Sequence, residues 1–208
     1  VDADTIELAD DAGGITTNLD GNLDLGTAAI DATTPDTPAL NITSDGTLTV
    51  GPIGQSTQVK SVAIHVNSVA DRITLGGSID SDNAVDINGI AGVATNIHLG
   101  SDVDVTAGDA NITIGNIADA NAHNLGAHAG TGNVTVGTIA NGADVDIDGA
   151  VITLGEVGSV ATSFAASVDI DGTDITINDA ITATDGISAV ASNDVNSNGA
   201  LTSSGSSI

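Results

Sequence analysis

The sequence predicts an all-β chain folded as a parallel β-helix, a β-solenoid of about eight irregular turns with almost no helix. Three observations carry that prediction. An apolar, any, apolar, glycine pattern returns at Leu23–Gly26, Leu48–Gly51, Ile73–Gly76, Ile97–Gly100, Ile112–Gly115, Val134–Gly137 and Ile152–Gly155, and an eighth copy, Ile175–Asn178, closes on asparagine. The closing positions lie 25, 25, 24, 15, 22, 18 and 23 residues apart, on average one solenoid turn. Between them runs a second family of short alternating segments, and no window carries an apolar stripe at helical spacing.

Taken in chain order, residues 1–21 hold Ile6-Glu7-Leu8 and read as an N-terminal cap or assembly strand. From Leu23 the glycine-closed strands alternate with Leu40-Asn41-Ile42, Val62-Ala63-Ile64, Val85-Asp86-Ile87, Val103-Asp104-Val105, Val145-Asp146-Ile147 and Val168-Asp169-Ile170. Each alternates with the period of two expected of a strand with one buried face. Asn88-Gly89, Asp148-Gly149 and Asp171-Gly172 supply tight bends. A turn therefore holds at least two strands, and eight turns at about 4.8 Å give a rod of about 40 Å. Thr33 to Pro38 reads as a protruding loop and Ala118 to Gly132 as irregular. Residues 1–195 form a single solenoid domain, and the Ser/Gly/Asn-rich 196–208 is a tail or inter-subunit segment.

Phe164 is the only aromatic residue, and Cys, Met, Trp and Tyr are absent. Such a chain fills a narrow interior with Val, Ile, Leu and Ala stacked turn on turn, not a wide globular centre. The 26 Asp and 2 Glu face only Lys60 and Arg72, for a formal net charge of −26. That charge disfavours nucleic acid and anionic membranes and favours cations, a basic partner or a salty medium. No apolar run approaches the roughly 20 residues that span a bilayer. A start at Val1 without Met reads as a processed, exported chain or a piece of a longer one, so the expected location is secreted or cell-surface.

Three constellations bear on chemistry. The middle positions of the glycine-closed strands read Asp24, Thr49, Thr74, His98, Thr113, Thr135, Thr153 and Thr176, a threonine column if the copies stack in one register. Two-column threonine arrays of this kind bind ice in some solenoids, but Arg72, His98 and Val151 interrupt this one, and exposed strand positions favour threonine in any case. Asp144-Val145-Asp146-Ile147-Asp148-Gly149 spells the opening of a calcium loop, echoed by Asp169, Asp171 and Asp174. These six carboxylates form the candidate Ca2+ set, although the closing glutamate of such a loop is missing at Gly155. The fold requires no cofactor. His123 and His128, five apart, read as ordinary surface histidines, and Asn41, Asn111 and Asn133 open glycosylation sequons. With one Lys, one Arg and no Trp or Tyr to stack on sugar rings, no catalytic set emerges, and an enzyme, including one acting on polysaccharides, is not expected.

Asn111-Ile112-Thr113-Ile114-Gly115-Asn116-Ile117 and Arg72-Ile73-Thr74-Leu75-Gly76-Gly77-Ser78-Ile79-Asp80 resemble the repeats of filamentous-haemagglutinin-type and autotransporter-type bacterial surface adhesins. The likeness covers most of Leu23 to Ile181 and implies a secreted parallel β-helix on a cell surface or in a fibre, with no functional residue carried over. Solenoid ends expose strand edges that need a cap or a partner. The expected function is accordingly that of a structural subunit of an extracellular filament, stacked end to end through Ile6, Leu8, Ile175 and Ile177, with a monomeric adhesin binding a host or matrix surface as the alternative.

Overall fold

The computed structural model describes residues 5–9, 15–19, 21–68, 70–89, 96–158 and 165–205. Every strand pairing in it is parallel, and no helix occurs among the described residues. The chain is a β-solenoid with three strand positions per turn, one more than the sequence revealed. On face I stack Thr5–Leu8, Ala29–Ala32, a bridge at Ile53, Ile79–Ser81, Val103–Ala107, Leu125–His128, and parts of the long strands Asp144–Leu154, Ala165–Ile177 and Ile181–Ser197. On face II stack Ile15–Leu19, Ala39–Ser44, Ser61–Val66, Val85–Gly89, Ile112–Ile114 and Val134–Val136, then the C-terminal parts of the three long strands. On face III stack Leu23–Asp24, Leu48–Val50, Ile73–Leu75, Ile97–Leu99 and Ile117–Asp119, bridges at Ile139 and Val157, and Ile181 with Leu201. Nine layers are thus separated by eight turns.

Alternation explains the core. Inward positions are aliphatic in layer after layer, for example Leu40, Val62, Val85, Ile112, Val134, Ile152 and Ile175 on face II, none more than 3% exposed. Each stacks on its equivalents above and below, so the core is a continuous aliphatic column that needs no aromatic residue. Where serine takes an inward position it is satisfied locally: Ser44 Oγ donates to the carbonyls of Gly21 and Gly46, and Ser81 Oγ to that of Lys60.

The glycine-closed pattern does not form one column. Copies up to Ile97–Gly100 lie on face III, and copies from Ile112 lie on face II. The 15-residue gap between them, too short for a turn, marks the switch of face. The alternating family divides likewise: Leu40, Val62 and Val85 start face II strands, whereas Val103, Val145 and Val168 start face I strands. The stretch from Ala118 to Gly132 is also more regular than its composition indicates. Leu125–His128 is a full face I strand there, because Leu125 and Ala127 complete the interior between Val103/Val105 and Val145/Ile147. Leu201–Ser203, within the Ser/Gly/Asn-rich stretch, pairs with Ile181–Ala183 in the last layer.

Candidate functional site

The most chemically distinctive surface is face I from layer 5 onward. Because Val, Ile, Leu and Ala take the inward positions, the outward columns read Asp104, Gly126, Asp146, Asp169, Ser188 and, two residues along, Thr106, His128, Asp148, Asp171, Val190. A third column holds the corner leading onto the face, residue by residue. The Asn124 N–H donates to Asp102 Oδ1 (2.9 Å), the Asp144 N–H to Asn124 Oδ1 (3.1 Å), and Ser167 Oγ to Asp144 Oδ1 (2.6 Å). The same device guards the other corners, where Asn133 N–H donates to Asn111 Oδ1 and Thr138 N–H to Asn116 Oδ1. Much of the Asp and Asn content is therefore structural, a side-chain oxygen in one turn receiving a backbone N–H of the next.

Stacked carboxylates on adjacent strands crowd one another. Burial pushes the Asp146 carboxyl above its usual range, Asp148, Asp169 and Asp171 push it further, and only His128 opposes them. On face III, Asp119 moves the other way, held down by the Asn121 N–H and the Asn141 side-chain amide.

Of the six candidate Ca2+ ligands, Asp146, Asp148, Asp169 and Asp171 share this face, Asp146 in register with Asp169 and Asp148 with Asp171. Asp144 is engaged in the corner ladder. Asp174 lies beyond the next corner and accepts from Asn193 Nδ2 at 2.5 Å. The six do not form one cage, because a strand that turns a corner between Asp171 and Asp174 sends their side chains to different faces.

The histidines are placed more specifically than the sequence indicated. His65 Nε2 lies 3.1 Å from Asp86 Oδ2, His123 Nδ1 3.5 Å from Asp102 Oδ1 and His128 Nδ1 2.8 Å from Asp148 Oδ2, each contact joining adjacent turns. His98 accompanies Asn96, and burial, then Arg72, holds its imidazole below the ordinary range against the opposing pull of Asp119. His123 and His128 reach for different partners and do not converge. Among the described residues neither Lys60 nor Arg72 forms an ion pair.

The threonine column is broken by the same change of face that splits the glycine pattern. Thr49 and Thr74 stack on face III, flanked by Asp24 and His98, while Thr113, Thr135, Thr153 and Thr176 stack on face II. Of the sequon asparagines, Asn111 and Asn133 are exposed and Asn41 is half-buried. The residues expected at the ends divide: Ile6 and Leu8 belong to the first face I strand, whereas Ile175 and Ile177 are buried one layer in, covered by Val195 and Ser197. The layer that ends the described solenoid is Ile187–Leu201, and the 20-residue spacing from Ile175 to Val195 is the signal that places it there.

The chain matches no known family, no curated protein and no solved structure.

Proposed function

We propose that this chain is a non-enzymatic structural subunit of an extracellular or cell-surface filament, assembled by end-to-end stacking of solenoids. One observation carries the reading: among the described residues, the last layer of the core is left uncovered. Val195 continues the inward face II column yet is 47% exposed, and Leu201 is only partly buried, whereas their equivalents one layer back, Ile175 and Ile181, are at most 1% exposed. The last strands also have no partner beyond them among the described residues. Such an edge is a template for another parallel strand.

A second copy suits this edge. Its first layer presents Thr5–Leu8, Ile15–Leu19 and Leu23–Asp24, three parallel strands in the order that every internal layer uses. Both ends are acidic, with Glu7 and Asp24 at one and Asp194 at the other, so salt that screens their repulsion promotes stacking. Negative-stain electron microscopy with light scattering on the purified chain, from low to high salt, tests this. Rods one solenoid wide that lengthen with salt and are lost in Val195→Asp support it. Monomers at every salt and protein concentration would remove it.

A further inference from the structure

We infer that His128, Asp146 and Asp104, with Asp148 orienting the imidazole, form a site for one divalent transition-metal ion of the Zn2+ class, joining turns 5, 6 and 7. The imidazole sets this spot apart, since a carboxylate column alone offers oxygens that suit Ca2+ or loosely held counter-ions. One donor atom from each of His128, Asp146 and Asp148 lies within 4.8 Å of the other two. With Asp148 holding the ring, an ion with bond lengths of about 2.0–2.2 Å draws His128 Nε2, Asp146 and Asp104 together by side-chain rotation.

Two features prepare the histidine for this. Asp148 Oδ2 lies 2.8 Å from His128 Nδ1, which holds the proton there and leaves the Nε2 lone pair as the donor. Nε2 in turn leans back along its own strand over Gly126, 2.8 Å from where a Cβ would stand, and Asp104 Oδ1 leans into the same space from the turn before.

Gly126 is the independent observation. It sits mid-strand without a positive φ, so no turn requires it, and an added Cβ would first meet Asp104 and His128 side chains rather than backbone. At the corners, by contrast, Gly155 and Gly132 are pressed against the backbone of the preceding turn. In the column Asp104, Gly126, Asp146, Asp169, the missing side chain opens a notch with a carboxylate on each side and an imidazole nitrogen at its rim. Nitrogen with two or three carboxylate oxygens is a donor set for Zn2+, Co2+ or Ni2+.

The test is calorimetric titration of the metal-free full chain with Zn2+ against a background of excess Ca2+, which occupies the rest of the acidic surface. Co2+ absorption and imidazole 15N shifts report on the nitrogen ligand. The expected result is one Zn2+ per chain, a Co2+ spectrum with a nitrogen ligand, and a shift confined to His128. His128→Ala, Gly126→Val and Asp146→Asn each weaken Zn2+ binding by about tenfold or more, while Asp171→Asn leaves it unchanged. Circular dichroism shows that each variant is folded. Binding that Ca2+ abolishes, that exceeds one ion per chain without saturating, or that survives His128→Ala would mean an adventitious ion only and overturn the site.

Discussion

The two halves of the solenoid use one sequence pattern on different faces. In layers 1 to 4 the glycine-closed strand lies on face III and is followed by a short step to face I: Val50 to Ile53, Leu75 to Ile79, Leu99 to Val103. In layers 5 to 8 it lies on face II and is followed by a short step to face III: Ile114 to Ile117, Val136 to Ile139, Leu154 to Val157, Ile177 to Ile181. The pattern therefore marks a strand that runs into a tight corner, whichever corner that is. The corner from face I to face II tightens along the chain as well, from ten residues between Ile30 and Leu40 to five between Ile147 and Ile152 and between Ile170 and Ile175. There the strands run through the corner unbroken, over Gly149 and Gly172.

The halves share one core, and the largest expected effect tests whether they share its energetics. Ile64→Ala in the first half and Ile152→Ala in the second, both fully buried, are each expected to cost about 2–5 kcal/mol in urea unfolding. A large cost in one half alone would mean that the layers do not form a common column.

Next come the corner glycines. A Cβ at Gly155 would stand 2.8 Å from the Gly137 carbonyl oxygen of the turn before, so Gly155→Ala is expected to cost about 1–3 kcal/mol. At Gly142 the nearest atoms are side-chain methyls of Ile139 and Val145, at 3.4 and 3.6 Å, and Gly142→Ala is expected to be neutral or to stabilise by up to about 1 kcal/mol. Equal effects at the two sites, read in the same urea titrations, would contradict the close-corner account.

The smallest effect is one of pH. His98 has its protonation disfavoured by burial and by Arg72, so its folded pKa lies below the ordinary 6.5. The stability this contributes is present above 6.5 and lost as pH falls through that value toward the lower folded pKa. Thermal melts of the wild type should thus fall more between pH 7.5 and 5.5 than those of His98→Gln. The Asp119 contribution, also from a lowered pKa, disappears only in the acid range below the usual carboxylate value.

The all-β parallel architecture and its turn length were legible because Leu, Val and Ile recur at alternate positions and glycine recurs once per turn. The third strand position was not legible. Its early members are short or built from weakly patterned residues, such as Ala29–Ala32 and the single bridge at Ile53; these, like Leu125–His128 in the second half, are strands because stacked neighbours complete their hydrogen bonds. The face on which each strand lies was hidden too, although the 15-residue gap before Gly115 recorded the change. Of the acidic surface, the Asp146/Asp148 and Asp169/Asp171 stacking was readable from the matched Val-Asp-Ile-Asp-Gly segments. The partnership of His128 with them was not, because it depends on Leu125–His128 occupying the layer between Val103–Ala107 and Asp144–Leu154.

The change of face between the two halves is the central claim, and disulfide trapping tests it directly because the chain has no cysteine of its own. Thr113 stands beside Asp86 in the adjacent layer of face II, whereas His98 stands beside Thr74 on face III. Neighbouring parallel strands at about 4.8 Å lie within disulfide reach. The Asp86→Cys/Thr113→Cys pair is therefore predicted to crosslink under mild oxidation, and the His98→Cys/Thr113→Cys pair to stay reduced. Crosslinking of the second pair and not the first would return the glycine-closed strands to a single column and contradict the account.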